Sequence, residues 1–302
     1  MRAFARQLDI DLAKVNGTGR KGRILREDVT AMLKATTAPA AAAGASGGMG
    51  IPPMPAVDFS KFGPVEDVEM PRIKKISGPA LHRSWLNVPN VTHNDEADIT
   101  DLDKYRKKMD TMAKEEGYRV TLLSFVVKAS VSALKEHWEF NSSIHPDGDK
   151  LIKKDFYNIG FAADTPNGLM VPVIKDADRK GIVQISKDLM ELSAKARDGK
   201  LKGDDMSGAS FTISSLGGIG GTSFTPIVNA PEVAILGLTR SKMAPVWNGS
   251  EFVPRLMLPL DLTYDHRVID GWNAAVFVQK LKSLIAKGAD VDAKNREGWP
   301  LL

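Results

Sequence analysis

The chain has 302 residues, 43% hydrophobic and 26% charged, with no cysteine. That length allows two domains and a sizeable core, and the missing cysteine excludes disulfides, thiolate metal sites and a cysteine nucleophile. No apolar run reaches a transmembrane length and no secretory signal opens the chain, so no membrane partner is expected and a reducing, cytoplasmic setting is.

The net charge of +4 is concentrated: residues 1–36 hold eight Lys/Arg and four Asp/Glu, and the remainder is neutral. A basic segment can meet nucleic acid or an acidic protein. No aromatic interleaving or nucleic-acid motif accompanies this one, so a protein partner is expected.

Residues 1–34 read as a small helical module. Ala3 to Leu8 and Arg26 to Leu33 have helical spacing. Between them, Gly17, Gly19 and Gly22 call for turns with positive φ. Their spacing is not that of a phosphate loop, and no strand precedes them. Residues 35–56 are a linker: sixteen of the 22 are Ala, Gly or Pro, and none is charged. Residues 57–302 are globular.

Within the globular part, Ser77 to Trp85 reads as a helix with Ser77 as cap and Pro79 in its first turn. Val91 to Ile99 reads as an edge strand, and Asp101 to Lys114 as a charged helix. The apolar stretch Thr121 to His137 is a buried helix with Thr121 as cap. Tyr157 to Ala163 and Leu169 to Ile174 are strands joined by the turn Asp164 to Gly168. Ile182 to Ala196 is an amphipathic helix, and Ser210 to Ser214 a short strand leading into the glycine loop 217–221. Glu232 to Arg240 and Phe252 to Tyr264 are strands, with Asn248-Gly249 marking a hairpin. Trp272 to Ala286 closes the series as an amphipathic helix. Strands and helices are mixed without strict βαβ alternation, so the fold class is α/β of the mixed, α+β kind.

The chemistry centres on Asp265-His266-Arg267-Val268-Ile269-Asp270-Gly271, between the last strand and the last helix. His266 and Asp270 are four apart, close enough to share a helical face. The alternative is a turn in which Asp270 caps the following helix. His82, His93, His137 and His145 read as structural or surface residues. No His-Glu-x-x-His and no close second histidine suggests zinc, so no metal is expected. A lone histidine with a hydroxyl nearby suggests acid–base work. A serine nucleophile would favour a Gly-x-Ser-x-Gly elbow, which is absent. A histidine that deprotonates an external nucleophile, with a serine stabilising an oxyanion, fits better.

Residues 1–34 resemble the peripheral subunit-binding domain of the 2-oxo acid dehydrogenase acyltransferases through Arg2-x-x-x-Arg6, Asp11-Leu12, Gly17-Thr18-Gly19, Gly22-Arg23-Ile24 and Glu27-Asp28-Val29. Residues 265–271 resemble that family's active-site signature. So do the runs Phe211 to Gly217, Asp164 to Leu169 and Val228 to Gly237, in the order the family has them. Asn229-Ala230-Pro231-Glu232 looks like the acetyl-transferring, pyruvate dehydrogenase branch.

The resemblance implies a chloramphenicol-acetyltransferase-like catalytic domain built as a trimer, with each active site between subunits and trimers assembling into a hollow core. It implies His266 as base, Ser214 from the neighbouring subunit as oxyanion donor, and Asp270 fixing the loop and the imidazole. Coenzyme A or acetyl-coenzyme A is then a substrate. Arg2, Arg6 and Arg23 would hold acidic surfaces of the pyruvate decarboxylase component and dihydrolipoamide dehydrogenase. Two departures stand out. The binding module is clipped at its start and no lipoyl domain precedes it, so either the lipoyl group is expected from other chains or the chain is a truncated product. Residues 287–300 do not resemble the family's usual ending. The competing expectations are an acyltransferase of another 2-oxo acid dehydrogenase complex and a chain that mainly recruits partner enzymes.

Overall fold

The computed structural model describes residues 15–20, 22–30, 54–166 and 168–287. The chain falls into two compact units, Met1–Val65 and Glu66–Leu302. The helix expected at Ala3 to Leu8, most of the linker and the end of the chain lie outside the described residues.

In the first unit, Asp28 is the organising group. Its carboxylate accepts from Thr18 Oγ1 at 2.6 Å, Thr18 N at 3.0 Å and Leu25 N at 2.8 Å. The Thr18 hydroxyl, and then the two backbone N–H groups, hold the Asp28 carboxyl below its usual range. Val15 and Val29 are buried. Of the three glycines, only Gly22 has positive φ, at 73°. Gly17 and Gly19 are needed for a different reason: a Cβ on either would run into the backbone of Gly22, Arg23 or Ile24.

In the second unit the elements are α1 (Arg72–Asn87), β1 (Asn90–Asp98), α2 (Thr100–Glu115), α3 (Leu122–Glu136), β2 (Ser142–Ile144), β3 (Leu151–Lys153), β4 (Ile159–Phe161), β5 (Val173–Ile174), α4 (Ile182–Arg197), β6 (Phe211–Ser215), β7 (Ala234–Leu238), β8 (Lys242–Trp247), β9 (Phe252–Asp265) and α5 (Gly271–Lys287). Seven strands form one mixed sheet in the order β1-β9-β7-β6-β4-β5, with β8 also on β9. The pairs β4–β6 and β6–β7 are parallel and the others antiparallel. β2 and β3 form a separate hairpin.

Two helix starts differ from the sequence reading. α1 begins at Arg72 behind Pro71, so Ser77 is no cap and Pro79 lies inside the helix. Gly78-Pro79 resembles a start, but earlier backbone already follows the helix. Thr121 does occupy the position before α3 in extended conformation, yet its hydroxyl makes no capping bond.

Strand β9 has two faces. Leu258, Leu260, Leu262 and Tyr264 join the main core with α3, α4 and α5. That core centres on aromatic contacts: the rings of Phe140 and Phe277 stack at 4.1 Å, with Phe211 6.1 Å from Phe277. The opposite face is polar and carries Asp261, Thr263 and Asp265, all buried. Phe277 is fully buried, so Phe277→Ala should cost about 3–5 kcal/mol, as for a buried aromatic truncated to a cavity. Chemical denaturation of the two proteins under identical conditions measures the difference.

Candidate active site

His266 stands where β9 ends. Just before it, Asp265 is buried and closes a fork with Arg267: Nη2 to Oδ2 at 2.6 Å and Nε to Oδ1 at 3.0 Å, with the Arg267 N–H also on Oδ1 at 3.0 Å. The N–H groups of Val268 and Ile269 both reach back to the Asp265 carbonyl, and the Ile269 side chain is buried. His266 itself gives its N–H to Pro89 O at 3.1 Å. Its ring is exposed, 5.9 Å from the ring of Tyr264. The turn is thus rigid while its imidazole faces outward.

Asp270 accepts from Asn273 N at 2.8 Å and so caps α5. Of the two readings of His-x-x-x-Asp, this is the capping one, and among the described residues no hydrogen bond joins Asp270 to the imidazole. Its charge does reach Tyr264: burial, and then Asp270, push the phenol above its usual range.

Ser214 is half-buried near the end of β6. Register sets its place: Ser214 lies opposite Gly237, Gly237 opposite Asp261, and Asp261 opposite Asn94. Residues in one row point to one face. His266 lies five residues beyond Asp261 along β9, two strands over from β6. At about 3.3 Å per residue and 4.8 Å per strand, Ser214 and His266 of one chain are roughly 19 Å apart. They do not meet in a single subunit.

Beside Ser215 opens a cleft of about 470 Å³, with Gly217 and Gly218 of the glycine loop on one wall and Arg106 and Arg119 on another. Both guanidiniums are anchored. Arg106 bonds Asp103 at 2.7 and 2.8 Å, and Arg119 forks onto Asp110 at 2.9 Å twice. The Arg119 fork and the Val120 N–H hold the Asp110 carboxyl well below the usual carboxylate range. Sequence reading missed these arginines because each is local in sequence to its own carboxylate and resembles an ordinary surface pair.

Of the three arginines expected to bind partners, Arg2 and Arg6 lie outside the described residues, and Arg23 is exposed. His82 lies in α1, His93 in β1 and His137 at the end of α3. Among the described residues, the one group of His, Asp and Glu close enough to share a metal is His145, Asp147 and Asp149, on the turn between β2 and β3.

The 2-oxoacid dehydrogenases acyltransferase catalytic-domain profile matches residues 62–291, and an E3 binding domain profile matches residues 2–30. The chain belongs to the 2-oxoacid dehydrogenase acyltransferase family. One relative is the dihydrolipoyllysine-residue acetyltransferase component of the pyruvate dehydrogenase complex of Cupriavidus necator, 55% identical over 294 residues, covering 95% of this chain and 53% of that protein. The chain spans about half the length of the curated relatives it matches. Among solved structures, the dihydrolipoamide acetyltransferase of Azotobacter vinelandii, studied for the catalytic role of a serine, a histidine and an asparagine, aligns with TM-score 0.78 at 53% identity over 80% of this chain and 98% of that one. The cubic core of a pyruvate dehydrogenase multienzyme complex aligns with TM-score 0.77 at 54% identity over the same shares.

Glu232, in the run that suggested the acetyl-transferring branch, is buried under the histidine turn: the next residue's carbonyl, Val233 O, takes the Asp265 N–H at 2.8 Å. Glu232 Oε1 accepts from Asn229 Nδ2 at 2.8 Å, while Oε2 and the Thr212 hydroxyl lack a well-formed hydrogen bond. Burial pushes the carboxyl up to about 7, against the pull of Thr212, Asn229 and the Lys154 ammonium. The folded state therefore holds this proton more tightly than the unfolded chain, whose carboxyl titrates near 4.5, and stability falls as pH rises between about 4.5 and about 7. The loss is about 3 kcal/mol. Glu232→Gln should remove that part of the slope and be the more stable protein at pH 8. Denaturation midpoints of both proteins from pH 4.5 to 8 check this.

Proposed function

We propose that the chain transfers an acetyl group between a dihydrolipoyl group and coenzyme A, within the core of a pyruvate dehydrogenase complex working in the bacterial cytoplasm. One observation carries the site assignment. In the A. vinelandii enzyme the serine precedes the histidine by fifty-two residues and the asparagine follows it by four. Ser214, His266 and Asp270 have the same separations. Here an aspartate stands at the third place.

A thiol with pKa about 8.5 is mostly protonated at neutral pH, and the thiolate is the nucleophile. His266 takes the proton from the coenzyme A thiol as its sulfur attacks the acetyl carbonyl. Ser214 donates a hydrogen bond to the oxyanion of the tetrahedral intermediate. As that intermediate collapses, His266 returns the proton to the departing dihydrolipoyl sulfur. Asp270 anchors the turn by capping α5 and acts on the imidazole through position. The cleft beside Ser215 receives coenzyme A, with Arg106 and Arg119 placed for its phosphates.

The separation of Ser214 from His266 supports a site completed by two copies, His266 from one and Ser214 from the next. Exposed apolar side chains on α1, Ile76, Leu81 and Trp85, support a face covered by assembly. Homotrimers joining into a hollow core fit this reading. His266→Ala should lower turnover roughly 10²- to 10⁴-fold, and Ser214→Ala about 10²- to 10³-fold. Co-assembling the two inactive chains should restore part of the activity, because some interfaces pair a good histidine with a good serine. Mixed trimers, confirmed by mass, that stay inactive would refute the shared site.

The first unit recruits the pyruvate dehydrogenase (decarboxylase) component and dihydrolipoamide dehydrogenase through Arg2, Arg6 and Arg23. Replacing all three by Ala should weaken that binding in a titration while leaving acetyl transfer to free dihydrolipoamide unchanged. The parent's binding should also weaken with added salt.

A further inference from the structure

The row that holds Ser214 contains a buried carboxylate that the reaction does not use. Asp261 is 1% exposed and makes no ion pair among the described residues. Its partners are neutral donors. Asn94 Nδ2 gives to Oδ1 at 2.5 Å, Ser223 Oγ to Oδ1 at 2.8 Å, and the Phe224 N–H to Oδ2 at 3.2 Å. Asn94 Nδ2 also reaches Ser223 Oγ at 2.9 Å, closing a triangle.

Ser223 and Phe224 end the glycine loop that starts beside Ser214 and Ser215. Between these points lie Gly217, Gly218, Gly220 and Gly221, the last two with φ of 144° and 89°. Such a segment has high conformational entropy and little packing to hold it. Its start is tied by Leu216 N to Leu238 O at 2.8 Å, and its far side by Thr239 Oγ1 to Thr222 O at 3.2 Å. The Asp261 bonds are the charge-assisted ones, the stronger class. They also seat the Phe224 ring in the notch over Gly237, between Ser214 and Asp261. A Cβ on Gly237 would meet that ring at 2.8 Å and Asp261 Cβ at 3.1 Å.

We propose that Asp261 is a positioning residue of the acyl-transfer site: by holding Ser223 and Phe224 it fixes the glycine loop as a wall of the coenzyme A cleft, and so sets affinity for coenzyme A. This rests on the cleft's assignment above. Ser214 stays in place through its own ladder with β7, so affinity is affected and the chemical step is not.

In Asp261→Asn, the amide oxygen can keep the bonds from Asn94 and Ser223, but Nδ2 then meets the Phe224 N–H donor to donor, and that loop bond is lost. The coenzyme A KM should rise about tenfold, as for loss of a hydrogen bond to a charged group, while kcat stays within about threefold. Amide hydrogen exchange across residues 216–226 should accelerate. The swap Asn94→Asp with Asp261→Asn restores a carboxylate–amide pair at the same cross-strand position, with acceptors for both Ser223 and Phe224. It should return KM and exchange toward the parent. Calorimetric titration with coenzyme A reads the same affinity without turnover, so a parent that binds but does not transfer acetyl would count against the proposed reaction and still test the latch. An unchanged KM and Kd in the single variant, or faster loop exchange without an affinity change, would overturn the proposal. So would a swap variant that folds and assembles but leaves both defects unrepaired.

Discussion

The ladder of β9 is the constraint on which the rest depends. Its fourteen residues pair with β8 and then β7 along one edge and with β1 along the other. A strand held on both sides cannot slip, because a shift of one residue would turn Leu258, Leu260 and Leu262 out of the core. Distances along it are therefore fixed by residue count. The serine row crosses β9 at Asp261, and the histidine stands just past its end. The space between these two groups is a property of the sheet, and no side-chain rotation closes it.

That sheet is unlike on its two faces. One is apolar and packs on α3, α4 and α5. The other carries Thr212, Ser214, Asp261, Thr263 and Asp265, four of them buried. A buried polar face is tolerable only if its groups find partners. Thr263 bonds Thr92, Asp265 bonds Arg267, and Asp261 bonds the segment that follows β6. The chain around 222–224 thus gains its place by satisfying the polar face, and the wall of the cleft follows from it. Where partners fall short, at Glu232 and Thr212, the carboxyl keeps its proton to higher pH.

Much of this was legible from residues alone. The apolar run that makes β9, the Asn248-Gly249 hairpin, the apolar run of α3 and the strand–turn–helix around His266 are local patterns, and local patterns survive into the fold. The errors were also local in kind. Gly78-Pro79 has the chemistry of a helix start, yet α1 was already under way. Thr121 has the chemistry of a cap, yet its hydroxyl lies elsewhere. What could not be read was register. Nothing in Ser214, Gly237, Asp261 and Asn94 announces that four strands align them in one row. A single signal was available: an aspartate in the middle of Leu258-Pro259-Leu260-Asp261-Leu262, at a position whose neighbours on both sides face the core.

On the proposed reading, assembly supplies more than a missing residue. The His266 imidazole of a single chain is exposed. In water, a serine hydroxyl offered to an oxyanion competes with solvent and gains little. In a site closed by a second subunit the same hydrogen bond acts at low effective dielectric, where it is worth far more. Burying α1's exposed Ile76, Leu81 and Trp85 would drive that closure at about 25 cal/mol per Å² of apolar surface. The driving force for assembly then comes from apolar side chains that take no part in the reaction, while the electrostatic benefit falls on the two polar ones that do. A chain built this way remains nearly inert until it has found its neighbours.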